Sequence, residues 1–376
     1  MGKGRKPKEP VKQKTPCEKA FEKAVLAFEQ EKFHKALEQF NIVLGLEPNH
    51  VEALTTKGLV LVELERHEEA IEVLDKSLKL DPQQAEAHYK KGVCFGELEM
   101  PREALDSFEQ AIKLDPSDGT HLAGKARALF DLGEPKEALL WYDRAIDSEP
   151  DNGTLFNSKA SALMELGEYQ AALELLDIAI GLDPEDPDNY LDKADILSTN
   201  LSQHEQALNE YEKSIALYPL NPLTWNNKAC SLCKLEKYED ALSAVERAIL
   251  LDNKDGGQYN TRADILLLMG KVEDALADSS KSIDLGPDEV DHYITHAEIL
   301  NENKNFDEAL LCCEEALLRC TIDEPNAQGR TLIEKAFALK MMDKTELLQE
   351  CVDKAKKSTG CELAFHYSHL APSIQL

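Results

Sequence analysis

The sequence predicts an all-α solenoid of stacked antiparallel helix pairs, and two long-range periodic signals and one local one predict it. Ala36, Ala70, Ala104, Ala138 and Ala172 stand 34 residues apart, and after one extra residue the interval resumes at Ala207, Ala241, Ala275 and Ala309. Prolines keep the same time at Pro48, Pro82, Pro116, Pro150, Pro184, Pro219 and Pro287. Between them, small and apolar residues recur three to four positions apart, the spacing of one helical face. A period of this length signals stacked supersecondary units rather than one globular core. The 376 residues are therefore expected to form one elongated body whose units touch mainly their neighbours.

Within one unit, Val51 to Gln84, Leu54, Gly58 and Leu61 share a face. Glu65-Arg66-His67 makes a polar break, after which Ala70, Leu74, Ser77 and Leu78 repeat the spacing. Asp81-Pro82 closes the unit, because proline cannot extend a helix and biases its predecessor away from helical angles. Small residues recur on the first helices as Ala24, Gly58, Gly92, Ala126, Ala160, Ala194, Ala229, Ala263 and Ala297. Close helix crossing requires small side chains at the contact. Larger residues fill the gaps, among them Phe40, Leu74, Phe108, Tyr142, Leu176, Tyr211 and Val245 on the second helices.

This arrangement resembles the tetratricopeptide repeat family, whose pattern sets a large residue, a small one, a large one, then Ala, an aromatic and Pro. Trp225, Ala229, Tyr238 and Ala241 match it, as do Phe156, Ala160, Leu163, Tyr169, Ala172, Ala179 and Pro184. Nine units cover roughly residues 17–323. The resemblance implies a right-handed α-solenoid, a superhelix of helix pairs whose first helices line a concave groove.

The domain plan follows. Residues 1–15 are expected to be a disordered basic tail and 16–323 nine repeats. Residues 324–328 read as a linker, 329–360 as a degenerate tenth repeat or cap, and 361–376 as a C-terminal tail or capping helix. The extra residue between Ala172 and Ala207 is expected in the turn Thr199–Gln203, where insertions are cheap. Ser279 and Cys313 stand where the second helix otherwise has an aromatic or large residue, so weaker packing is expected there. Leu348 takes the position of the recurrent alanine in the tenth unit, which predicts a splayed hairpin.

Formal charge is −29, although the first fifteen residues carry about +5. The acidic body is expected to repel nucleic acid and anionic lipid and to attract basic partners. No apolar run reaches membrane-spanning length. An odd count of nine cysteines without a secretory pattern leads us to expect a reducing, cytoplasmic setting.

No phosphate-binding loop, nucleophile elbow or dinucleotide glycine cluster occurs, so neither an enzyme nor a cofactor is expected. Cys230 and Cys233 form a lone CxxC on one helix face, and a structural zinc site needs four ligands. His292 and His296 share a face but lack the HExxH pattern. No metal is expected at either pair. Lys23, Lys57, Lys91, Lys125, Lys159, Lys193, Lys228 and Arg262 precede the small column. They read either as a ladder for acidic ligands or as stems covering neighbouring helices with their charges paired to local acids.

Carried over position by position, the resemblance implies an apolar strip in the groove of Phe21, Val25, Phe28, Leu59, Val62, Tyr89, Val93, Phe130 and Met164. Farther along, Asn157, Asn226, Asn227 and Asn260 are expected in the same groove beside Asp195, Asp264 and Glu298. Asparagine offers a donor and an acceptor, and asparagine rows hold extended peptides by their backbone in some members of the family. Other members clamp acidic chaperone tails through Lys and Asn. The corresponding positions here hold Phe21, Val25, Thr56, Glu86 and Lys90, so no such two-carboxylate clamp is expected. The resulting expectation is a non-enzymatic scaffold or adaptor that binds a protein or peptide with basic or apolar segments. The alternative is a structural subunit of a multi-protein complex that uses its outer helix faces.

Overall fold

The computed structural model describes residues 14–320 and 325–359, and its chain divides at Pro184 into two compact units. The expected basic tail, but for Lys14 and Thr15, and the segment 361–376 lie outside the described residues. Among the described residues there are twenty α-helices, one π-helical segment and no strand.

The first unit comprises α1 (Pro16–Glu29), α2 (Phe33–Leu46), α3 (Val51–Glu63), α4 (His67–Leu80), α5 (Ala85–Glu97), α6 (Pro101–Leu114), α7 (Gly119–Asp131), α8 (Pro135–Ser148), α9 (Gly153–Glu165) and α10 (Tyr169–Leu182). The second comprises α11 (Pro187–Asp195), the π segment Ile196–Asn200, α12 (His204–Leu217), α13 (Pro222–Lys234), α14 (Tyr238–Leu251), α15 (Gly256–Leu268), α16 (Val272–Leu285), α17 (Val290–Glu302), α18 (Phe306–Arg319), α19 (Pro325–Met341) and α20 (Thr345–Thr359). In both, each odd-numbered helix packs on the even-numbered helix that follows it, and the pairs pack in succession. Residues 325–328, read from sequence as a linker, form the first turn of α19.

The small column sits where the paired helices cross. Ala24, Ala126, Ala160, Ala194, Ala229, Ala263 and Ala297 are wholly buried, and so are the second-helix alanines from Ala36 to Ala309. Where glycine replaces alanine, the facing side chain has moved in. A Cβ on Gly58 would lie 2.5 Å from Leu74 Cδ2. Phe108 is held from two sides: a Cβ on Gly92 would meet its ring at 2.7 Å and one on Gly124 at 2.5 Å.

Each pair turns through one residue in the left-handed region. Three of these are glycines, Gly133, Gly167 and Gly270, and the other seven are Glu31, Glu65, Glu99, Ser202, Glu236, Lys304 and Asp343. This is the usual C-terminal helix stop, in which the next amide bonds back across the turn, as Lys32 N–H does to Ala27 O at 2.9 Å. Between pairs, Asp81 and Asp115 are extended ahead of their prolines, as pre-proline sterics require. Several first helices start on side-chain caps, α7 among them: the Asp118 carboxylate accepts from the Thr120 and His121 amides. Thr15 and Glu18 complete a capping box at α1.

The extra residue is not in the turn. It widens the end of the first helix into the π segment Ile196–Asn200, where Leu201 N–H bonds to Ile196 O. Ser279 and Cys313 are wholly buried. The Ser279 hydroxyl is satisfied by Leu276 O at 3.1 Å and His296 Nδ1 at 2.8 Å, so polar bonding replaces the contact of a large side chain there.

The fit around Phe108 has a measurable consequence. Gly92→Ala or Gly124→Ala is expected to destabilise the first unit by about 1–3 kcal/mol, the usual cost of overpacking. Gly96→Ala, on the same helix with nothing within 4 Å of the added methyl, is expected to gain about 0.5–1 kcal/mol from helix propensity. Urea unfolding followed by circular dichroism reads both.

Candidate partner-binding face

The nine apolar residues expected in the groove are half-buried rather than open. Phe21 stacks on His50 at 4.9 Å and meets Phe40 edge-on at 6.1 Å. Val25 and Phe28 pack on the cluster of Ala20, Ala24 and Phe40. Val62 packs beside Leu61 and Cys94, and Phe130 beside Leu129 and Tyr142. Tyr89 and Val93 pack against Phe108, and burial pushes the Tyr89 hydroxyl above its ordinary pKa. Leu59 and Met164 are half-buried as well. The strip therefore spends much of its surface joining neighbouring helices. More of the openly exposed apolar side chains stand on second helices, among them Ile42, Leu140, Leu250, Leu311 and Leu318.

The asparagines divide into different roles. Asn157 is half-buried on α9 in the first unit, while Asn226, Asn227 and Asn260 belong to the second. Asn227 Nδ2 donates to both oxygens of Asp195, at 3.0 and 3.3 Å. The Tyr211 hydroxyl donates to the same carboxylate at 2.6 Å. Asn227 is thus tied up in a bond that joins α13 to α11. Burial raises the Asp195 pKa, and these two donors pull it the other way. Asn226 and Asn260 differ: the Oδ1 of each is buried without a donor. Buried acceptors in that condition are rare and costly. They sit one helical turn before Cys230 and Asp264, on the same faces of α13 and α15.

Carboxylates gather beyond them. Burial, then the nearby charge of Glu298, pushes the Asp264 pKa up to about 7. Glu298 is also raised by burial. Glu334 on α19 reaches about 7 through burial and the Glu298 charge, while Asn301 Nδ2 donates to its Oε2 at 2.9 Å.

The basic column is structural where its partners are seen. Lys91 pairs with Asp75 at 2.7 Å, Lys125 with Glu109 at 2.7 Å and Lys159 with Asp143 at 2.6 Å. Lys228 pairs with Glu212 at 3.2 Å. Arg262 grips both oxygens of Asp278 at 2.6 and 2.7 Å. Lys125 also lies 4.1 Å over the Trp141 ring. These stems cover neighbouring helices and leave no ladder of open ammonium groups among those named.

The remaining candidates separate. His292 Nδ1 bonds to Gly286 O at 3.1 Å, whereas His296 turns to Ser279. Desolvation pushes the Cys233 thiol up to about 11, far from a reactive thiolate. Among the described residues no three His, Cys, Asp or Glu side chains are grouped to hold a metal ion. No helix there is long and apolar enough to cross a membrane.

The raised carboxyls set the sign of a pH effect. A folded-state pKa of about 7, against an ordinary value of 4.5 for Glu334, means the folded state binds the extra proton between those values. Its stabilising contribution is full below pH 4.5 and is lost as pH rises through about 7. Glu334→Gln is therefore expected to raise stability at pH 8 by the order of 2 kcal/mol and to change it little at pH 4.5. Urea midpoints of both proteins at the two pH values check this.

A tetratricopeptide repeat model matches residues 21–85, 55–99, 89–153 and 157–222. A second tetratricopeptide repeat model matches 210–243. No curated protein matches the sequence. Among solved structures, the chain is similar to one described as the APC/C hetero-tetramer Cut9-Hcn1, at 20% identity and a TM-score of 0.56, over 74% of this chain and 55% of that one. A tetratricopeptide repeat protein from Parabacteroides merdae shares 19% identity over 68% of this chain and 98% of its own, with a TM-score of 0.55. Pseudomonas aeruginosa pilF shares 21% over 57% and 97%, with a TM-score of 0.50. At these identities the structures show a shared fold and nothing more. The repeat models span more than half of the sequence, and with the alternating helix pairs and their buried small column they show that the chain belongs to the tetratricopeptide repeat family.

Proposed function

We propose that the protein is a non-enzymatic scaffold that receives a partner segment on the face of its first helices. Repeats of this family mediate protein–protein interaction. The observation that carries the reading here is the pair of buried, unpartnered Oδ1 atoms of Asn226 and Asn260. Both side chains are half-buried, so a rotation of each amide would present it to the backbone of an extended segment and satisfy the orphaned oxygen. Half-buried apolar side chains such as Leu59 and Met164 would add contact area. A formal charge of −29 favours a segment with basic flanks and disfavours acidic chaperone tails. Asn227 contributes by holding Asp195 and is not a contact residue in this reading.

A second reading rests on the exposed apolar side chains of the second helices, Leu140 at 65% and Leu250 at 73%. They would suit a structural subunit packed into a larger complex by its outer face.

Photo-crosslinking amino acids at Leu59 and Thr261, against Leu140 and Leu250, separate the two in cells that express the protein. Capture through the first pair is expected; capture only through the second establishes the alternative. With the captured partner, Asn226→Ala combined with Asn260→Ala is expected to weaken binding at least about tenfold, since each loses a bond of about 1 kcal/mol, with unfolding unchanged within about 0.5 kcal/mol. Asn227→Ala is expected to destabilise the second unit by about 1–3 kcal/mol, because it strips a donor from a buried carboxylate.

A further inference from the structure

A cavity of about 450 Å³ opens in the second unit between α13, α15, α17 and α19. It is within the size range of ligand sites, about 300–1,000 Å³. Asp264 and Glu298 supply carboxylates, Leu267 and Leu268 an apolar wall, and Lys234 and Arg330 the cations. The two signs are not equivalent. Lys234 is exposed to solvent, and Arg330 Nη1 bonds to Asp291 Oδ1 at 2.6 Å while its charge also acts on both carboxylates. Asp264 and Glu298 are the partly desolvated pair, and like charges placed together in such a site disfavour ionisation of both. A cation reaching them relieves that repulsion and replaces the lost water. A long aliphatic stem with a donor-rich cationic tip matches both the leucine wall and the carboxylates.

We infer that this cavity is a receptor for one arginine or lysine side chain of a bound partner. The inference rests on the reading that the first-helix face receives a partner, and adds what residue that partner presents. Binding is coupled to pH through Asp264. The charged and titratable groups that face it are Lys234, Cys230 and Cys233 from α13, Glu298 from α17, backed by Glu302, and Arg330 from α19. Glu246 of α14 and Asp278 of α16 act on Arg262 instead. With the Asp264 pKa at about 7, the carboxylate that pairs with a cation is scarce at pH 6 and dominant at pH 8. Affinity therefore rises with pH, by up to about tenfold across that interval.

The test is an NMR titration of the full chain with acetyl-Gly-Arg-Gly-amide, following the amide signals of Thr261 and Leu268. The expected result is saturable shifts that strengthen from pH 6 to pH 8. They should be reproduced by the lysine analogue and absent with the citrulline and aspartate analogues. Asp264→Asn with Glu298→Gln is expected to weaken binding at least tenfold, while Glu97→Gln in the first unit leaves it unchanged. Glu298→Gln alone, with a partial loss, serves if the double variant unfolds. No shift, equal shifts with citrulline, preference for aspartate, or indifference to these variants overturns the inference. Because the peptide replaces the native partner, such a failure leaves the crosslinking result standing, and a crosslink confined to the second helices leaves the peptide result standing.

Discussion

Everything in this chain depends on how closely two helices can approach at one small residue. The buried alanine or glycine near the middle of each first helix lets the second helix come near enough for its own alanine to be buried in turn. Close packing leaves few voids, so each pair reads its partner's side-chain volume directly. Phe108 between Gly92 and Gly124 is the sharpest instance, because one ring serves the pair it belongs to and the next. With the interior closed by such contacts, the remaining first-helix side chains are released for other uses.

Those uses change along the chain. In the first unit the first-helix surface is aromatic and aliphatic and partly consumed by packing. In the second it is polar, and it contains groups that the fold alone does not satisfy. Asp195 has two donors, whereas the Oδ1 atoms of Asn226 and Asn260 have none. Asp264, Glu298 and Glu334 hold their protons more tightly than ordinary carboxyls. A buried polar group without a partner is a standing cost, and a fold that keeps several on one face departs there from its own internal consistency.

Most of the fold was legible in the sequence because steric requirements repeat. An alanine demanded by a helix crossing recurs wherever the crossing recurs, and a proline that ends a helix marks each boundary. The left-handed turn residue was legible in principle: Gly133, Gly167 and Gly270 keep the same register as Glu31, Glu65 and Glu99, but acidic residues hid the pattern. Of the expected binding face, position along the helix was readable and partnership was not. Asn226 and Asn227 are neighbours of identical type, yet Asp195 from another helix decides which is occupied. The carboxylate of Glu334 was missed altogether, since its environment is made by Asn301 and Glu298 on α17 and no local pattern announces it.

The π segment at Ile196–Asn200 carries a consequence for how such chains change length. One added residue in an α-helix rotates everything after it by about 100°, since 3.6 residues make a turn. Uncorrected, that rotation would swing the following side chains off the contact line. Here the error is absorbed within five residues, and Ala207, Tyr211 and Ser214 beyond it are still buried. The π segment acts as a length buffer, separating the number of residues in a repeat from the angular phase of its side chains. Insertions of this kind would pass into a repeat array without erasing the addresses of the residues that follow.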